Sequence, residues 1–534
     1  MSYMFQNCGS LTSLNIKNFN GRYLRDMTYA FVGVKELKEL DLSSLSTPNL
    51  KYMKSTFVSC QKLTKIIFPN LITDKVLTMD NLFESCTSLT SLDLSNFDTS
   101  KVTSMEEMFK TCTNLKEIKI SSKFNTKSVQ SMYRMFDQCK GLESIDVSKF
   151  DTSSVTIMNN MFDSCSLLTS IDVSKFNTEK VTDISGMFKG CSSLKSINLS
   201  GFKTAKATLM SSMFNGCTSL TQIDISNLVS TSSRSLASMF YNCISLTSID
   251  VSNFKSETVT SIDSMFYNCH NLKSINLNNF NTRSVTLMSN LFYNCTSLTS
   301  LDLSNFNIQK TTQTYSMFYN CISLKSLNLA HFKDNDISEM SRMFGNCQSL
   351  EYLDVSNLET YKVKEMTYLF FNCTKLSSLS FSKFDTSLIT STAHMFENCK
   401  NLKSLNLNHF DMSWNTDMSY MFAGCDKLNE LIISKFNTGL VRDMSHMFEK
   451  CSSLESLDIS SFDTSVMTKM DYMFSYIGAK TLDLSKFNTL NVKKFEGVFD
   501  GCEGLNITIS EKNCQNLIPE IPEFVHYDLV EDIF

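Results

Sequence analysis

The residues in this chain that could do chemistry are sulfur ligands and carboxylates. Its 534 residues include 19 cysteines and 30 methionines. Met105–Met108 and Met158–Met161 have the M-x-x-M spacing that soft Cu(I) can exploit. Cys112 and Cys165 follow close behind, so disulfide, metal and thiol chemistry all have to be weighed. Aspartates recur at Asp93, Asp146, Asp172, Asp224, Asp250, Asp302, Asp354 and Asp458. A row of carboxylates can gather cations or meet a ligand, although calcium needs several oxygens converging on one ion. The single tryptophan, Trp414, is a further candidate, because aromatic side chains are favoured binding anchors. The six histidines show no paired metal-ligand spacing, and there is no nucleophile elbow or Gly-rich phosphate loop.

The elements that position these residues come from an internal repeat. A phenylalanine within Met-Phe-x-x-Cys recurs from Phe5 to Phe499 in 20 copies. The step is 26 residues, except 27 from Phe109 to Phe136 and 25 from Phe474 to Phe499. Each unit has two halves. Leu298 to Phe306 reads L-x-x-L-x-L-x-x-F, and its alternating core predicts a short strand with one face buried. A polar turn such as Asp98-Thr99-Ser100 follows, whose hydroxyls suit a helix N-cap. Val102, Met105, Met108, Phe109 and Cys112 then fall on one helical stripe, so the second half is predicted to be a short helix.

One such unit cannot bury its face alone, and stacking does it. The L-x-x-L-x-L pattern at a 20–29-residue period is that of leucine-rich repeats. The expected fold is an α/β repeat solenoid, a horseshoe or superhelix. Parallel strands would line its concave face and short helices its convex face. A parallel β-helix is the alternative, but its units usually lack a helical half. The solenoid is expected over residues 1–511, with a C-terminal cap and acidic tail over 512–534. Met1 and Met4 already occupy repeat columns, so the chain is expected to start inside a repeat, without a cap. Such an open end would seek a partner, another subunit included.

The full unit, M-F-x-x-C-x-S-L-x-S-L-D-L-S-N-F-D-T-S-x-V-T-x-M, resembles the BspA-like leucine-rich repeat surface proteins. Asn96 to Thr103 and Ser461 to Ser465 carry the resemblance closely. It implies a bacterial or protist surface protein, often adhesive, with no enzymatic activity and no cofactor. The implied partners are host matrix proteins, other microbes or other cells. The N-terminus, MSYMFQNCGSL, has no basic region or apolar core of a signal peptide. Cell-surface location therefore follows from the resemblance alone, and a cytoplasmic scaffold is the alternative.

The repeat also decides how the candidates are read. Eighteen cysteines share one column, and only Cys514 lies outside it. The same column accepts Val34 and Ile477, which suits an apolar slot and would ruin a ligand. The methionine columns accept Ile184, Leu236, Ile262, Leu82, Leu291 and Leu369 in the same way. Both are read as packing, and no metal site is expected. The Asp column, alternating with Asn198, Asn276, Asn328 and Asn406, points out of the core. It reads either as a solvated polar face or as a surface for a protein or glycan ligand. Lys119 and Ile432 interrupt it, and Trp414 departs from its own column. Net charge is −5 with no basic cluster, which argues against nucleic acid. No run reaches the length of a membrane span.

Overall fold

The computed structural model describes residues 1–254, 257–381 and 383–530. It divides into two compact units, Met1–Phe280 and Asn281–Phe534. Both are built from parallel β coils. In the first unit, β1 (Glu39–Asp41) pairs with β2 (Lys65–Ile67), β3 (Ser91–Asp93) with β4 (Glu117–Lys119), and β5 (Ser248–Asp250) with β6 (Ser274–Asn276). In the second, β7 (Tyr352–Asp354) pairs with β8 (Ser378–Ser380), and β9 (Ser404–Asn406) with β10 (Glu430–Ile432). There β11 (Thr481–Leu484), β12 (Asn506–Ser510) and β13 (His526–Val530) form a three-stranded sheet. All pairs are parallel, and equivalent residues of successive units stand side by side, as Leu92 does with Ile118.

The predicted helices are not there. Among the described residues the only helical pieces are two 3₁₀ turns, Gly21–Tyr23 and Ile518–Glu520. The Met-x-x-Met-Phe-x-x-Cys segment is instead a chain of linked turns. In one coil Leu82 N–H donates to Met79, Glu84 to Asn81 and Cys86 to Phe83, each three residues back. The alternate amides point along the stack: Asn81 N–H donates to Glu106 C=O, Phe83 to Met108 and Ser85 to Lys110. This alternation requires left-handed backbone two residues before and two after the phenylalanine. Asn81 (φ 54°) and Ser85 (φ 59°) fill those places in one coil, Asn160 (φ 56°) and Ser164 (φ 59°) in another. Asn and Gly tolerate that conformation best, and they recur there. Linked i to i+3 turns put a buried side chain at every third residue. That spacing is why the segment reads as a helical stripe.

The Thr of Phe-Asp-Thr-Ser likewise caps no helix. Thr73, one repeat before Thr99, is buried; its hydroxyl donates to Asp98 C=O at 2.9 Å and accepts Asp98 N–H at 2.9 Å. Thr152 makes the same double bond to Asn177. These hydroxyls satisfy backbone groups of the next coil that burial would otherwise leave unpaired.

The core runs along the axis of each unit as columns. The repeat phenylalanines stack with centroids 5.3–5.8 Å apart from Phe5 to Phe266. From Phe292 to Phe499 the spacing is 5.6–6.0 Å. Near-parallel rings at this separation are offset, which avoids the repulsion of a face-to-face sandwich. Toward the C-terminus, His526–Val530 adds a largely exposed strand to the sheet of β11 and β12. Glu531 and Asp532, part of the expected acidic tail, lie outside the described residues.

Candidate ligand-binding surface

The cysteines from Cys60 to Cys502 are buried in the solenoid core, while Cys8 is exposed. Their thiols share a recurring partner, the carbonyl of the repeat phenylalanine of the preceding coil. Cys86 Sγ donates to Phe57 C=O at 3.0 Å, Cys112 to Phe83 at 3.0 Å, and Cys243 to Phe214 at 3.2 Å. The column therefore links each coil to the one before it. Burial pushes the Cys112, Cys217 and Cys269 thiols up to about 12, so they carry almost no thiolate. Met105, Met108, Met158 and Met161 are wholly buried against the same core. Among the described residues no three His, Cys, Asp or Glu groups are placed to hold a metal ion.

The Asp column lies outside. Asp93, Asp146, Asp172, Asp224 and Asp250 in the first unit are exposed, as are Asp302, Asp354 and Asp458 in the second. Asp93, Asp250 and Asp354 end β3, β5 and β7, and the others hold the same place in their coils. Each has a structural task. Its Oδ1 accepts the amide two residues on: Asp93 from Ser95 at 3.0 Å, Asp172 from Ser174 at 2.9 Å, Asp458 from Ser460 at 3.1 Å. Hydrogen bonds from the serine hydroxyl and then its amide hold Asp93, Asp146 and Asp172 below the usual carboxylate range. These are Asx turns that end the strand. Asn198 and Asn328 make the same bond to Ser200 and Ala330, which explains why the column accepts either residue. The second carboxylate oxygen stays available to neighbours. Asn276 donates to Asp250 Oδ2 at 2.9 Å, and Lys119 Nζ stands 4.0 Å from Asp93 Oδ2.

Trp414 belongs to a different line of the surface. It is 61 % exposed, eight residues before Phe422, in the turn that follows the Asx bond of Asp411 to Ser413. The equivalent residues in the flanking coils are Leu388 and Leu440, each 45 % exposed. In most other coils that column is polar, as at Lys101, Ser154, Lys180, Lys206 and Lys310, with Tyr23 and Val466 as exceptions. Three successive coils thus present an apolar strip with Trp414 at its centre. The signal was in the sequence, since two leucines stand where lysine or serine is usual. It shows only when the column is compared coil by coil.

A family model described as "Mycoplasma protein of unknown function, DUF285" matches residues 1–91, 66–144, 132–248, 234–351, 322–431 and 416–520. This chain belongs to that family. Its DUF285 repeats resemble those of BspA-like leucine-rich repeat surface proteins along the chain. Among solved structures, a leucine-rich repeat protein from Bacteroides ovatus is 19 % identical with a TM-score of 0.40, over 71 % of this chain and 88 % of that one. A leucine rich cell surface protein from Faecalibacterium prausnitzii is 22 % identical with a TM-score of 0.33, over 55 % and 81 %. A leucine-rich repeat protein from Eubacterium ventriosum is 14 % identical with a TM-score of 0.29, over 87 % and 92 %. Comparison with curated proteins finds no match.

Proposed function

We propose that this chain is a non-enzymatic interaction scaffold and acts as a cell-surface adhesin for protein or glycan ligands. The observation that carries this reading is the division of labour within each coil. Its sulfur residues go into packing, while its outward residues form a repeated polar ribbon, interrupted by the apolar strip at Leu388, Trp414 and Leu440. Exposed apolar patches rimmed by polar groups are favoured contact surfaces. Ligands would meet the Asp column or the Trp414 strip. No helix among the described residues is long and apolar enough to cross a membrane.

The second reading is a cytoplasmic assembly protein that uses the solenoid as a spacer. The buried, protonated thiols favour it, because a reducing compartment keeps thiols free. Labelling intact cells with a membrane-impermeant reagent separates the two. The adhesin reading expects labelling before lysis, and protection until lysis rejects it. Pull-downs against matrix proteins then locate the surface. Trp414→Ser should weaken capture if the strip is used. Asp→Asn at Asp146, Asp172, Asp224 and Asp250 should weaken it if the carboxylates are used, because Asn preserves the turn and removes only the charge.

A further inference from the structure

In the second unit β13 is an open edge. It pairs with β12 on one side, and among the described residues no strand lies on the other. Phe524 C=O accepts Gly504 N–H at 3.2 Å, and His526 N–H donates to Leu505 C=O at 2.9 Å. Backbone groups alternate in direction along a strand, so the N–H and C=O of Tyr527 and Leu529 point away from β12. The side chains agree. Tyr527 continues the column of Leu482 and Ile507, and Leu529 that of Leu484 and Ile509. The four earlier members are buried, whereas Tyr527 is 44 % and Leu529 49 % exposed. A strand laid on the free edge would cover both.

Proteins usually blunt such edges with Pro, Lys, a bulge or a very short strand. β13 contains no Pro or Lys, and at five residues no described strand is longer. Its guard is one acid. Asp528 is exposed on the face opposite Tyr527 and Leu529, with the exposed His526 two residues before it on the same face. Any strand that joins this edge has to answer Asp528, and a partner with a carboxylate or an apolar residue there is penalised. The stretch His526-Tyr527-Asp528 carries its own answer, because reversed about Tyr527 it sets His against Asp at both ends.

We infer that β13 is a dimerisation edge, which pairs antiparallel with β13 of a second copy about a two-fold axis at Tyr527. Tyr527 lies opposite its own counterpart and exchanges two N–H to C=O bonds with it. His526 stands opposite the partner's Asp528, and Asp528 opposite the partner's His526. These are the close, non-hydrogen-bonded pairs of an antiparallel ladder, where opposite partners stabilise and like charges destabilise. An axis at Asp528 would set two carboxylates face to face, and an axis at Leu529 would set each Asp528 against Val530. The Tyr527 register is the one that serves both acids. Such an interface uses the same patch on both copies, so it closes at two.

The test is analytical ultracentrifugation of the full chain over a concentration series, with amide exchange of the 526–530 segment read at both ends of the series. A reversible monomer–dimer equilibrium is expected, with slower exchange in that segment when the dimer is populated. H526D puts acid opposite acid twice and should weaken the dimer roughly tenfold. The double swap H526D/D528H exchanges the partners and should restore it. Y527P removes the outward N–H, a change that edge strands tolerate, and should leave a monomer. W414S should dimerise like the parent chain, which separates this edge from the apolar strip. A monomer at every soluble concentration, a dimer whose 526–530 amides stay unprotected, no rescue by the double swap, or tighter association of D528N would overturn the assignment. Since the adhesin reading is decided by labelling of intact cells, failure here leaves it standing.

Discussion

Asp137 is the carboxylate the fold treats least kindly. It is 4 % exposed, and burial, then the neighbouring Asp163 carboxylate, push it up to about 6. Arg134 Nε, 3.7 Å away, offsets only part of this. A carboxyl pKa raised on folding favours the protonated folded state. Its contribution is fully present below the ordinary carboxylate range and is lost as pH rises through about 6. Asp137→Asn should therefore stabilise the chain at about pH 8, by on the order of 2 kcal/mol, and change little at about pH 4. Urea unfolding of both forms at the two pH values checks this, and equal effects at both would contradict it. The thiols make the complementary case. Thiolate is the reactive form, and burial holds Cys112, Cys217 and Cys269 near 12. Iodoacetamide followed by mass mapping should find Cys8 alkylated first in the folded chain. The core column should react only after unfolding, whereas rapid labelling of Cys243 would mean the column opens readily.

At the scale of the element, the turn chain makes a demand that a helix does not. Ser59 sits at φ 59°, where a β-branched side chain clashes with its own backbone. Ser59→Val should cost about 1–2 kcal/mol, while Ser59→Gly should be neutral or slightly stabilising. A helix would reverse that order, since Val is tolerated there better than Gly. Thermal unfolding of the two variants is thus a direct test of the backbone. The same demand explains what was legible. The strand half was readable because alternation in Leu-x-Leu has one meaning, and Asp93 and Asp250 are exposed as alternation requires. The second half was misread because linked turns bury every third side chain, close enough to a helical stripe to mimic one. The contrary signal was the residue before the cysteine. It is Asn at Asn242, Asn268, Asn320, Asn346 and Asn398, and Gly at Gly190, Gly216 and Gly424. Asn and Gly recurring at one position mark positive φ and argue against helix.

At the scale of the whole molecule, a solenoid unit is held together by neighbours, and its stability should be local. Phe422 shows how. It is completely buried, with Phe396 at 5.7 Å on one side and Phe448 at 5.8 Å on the other. The amides of its coil bond forward along the stack, with Phe422 N–H on Met447 C=O and Gly424 N–H on Glu449 C=O. Removing the ring deletes two stacking contacts and leaves a cavity, which costs about 3–5 kcal/mol. In a globular domain that loss would be shared by the whole cooperative unit. In a stack whose energy is a sum of coil and interface terms, it falls on the damaged coil and its two neighbours. Phe422→Ala should therefore speed amide exchange between about Phe396 and Phe448, while coils near Phe318 keep their protection. Hydrogen exchange read by mass spectrometry resolves this. Uniform loss of protection across Asn281–Phe534 would show instead that the unit unfolds all at once, with coupling between coils stronger than the coils' own instability.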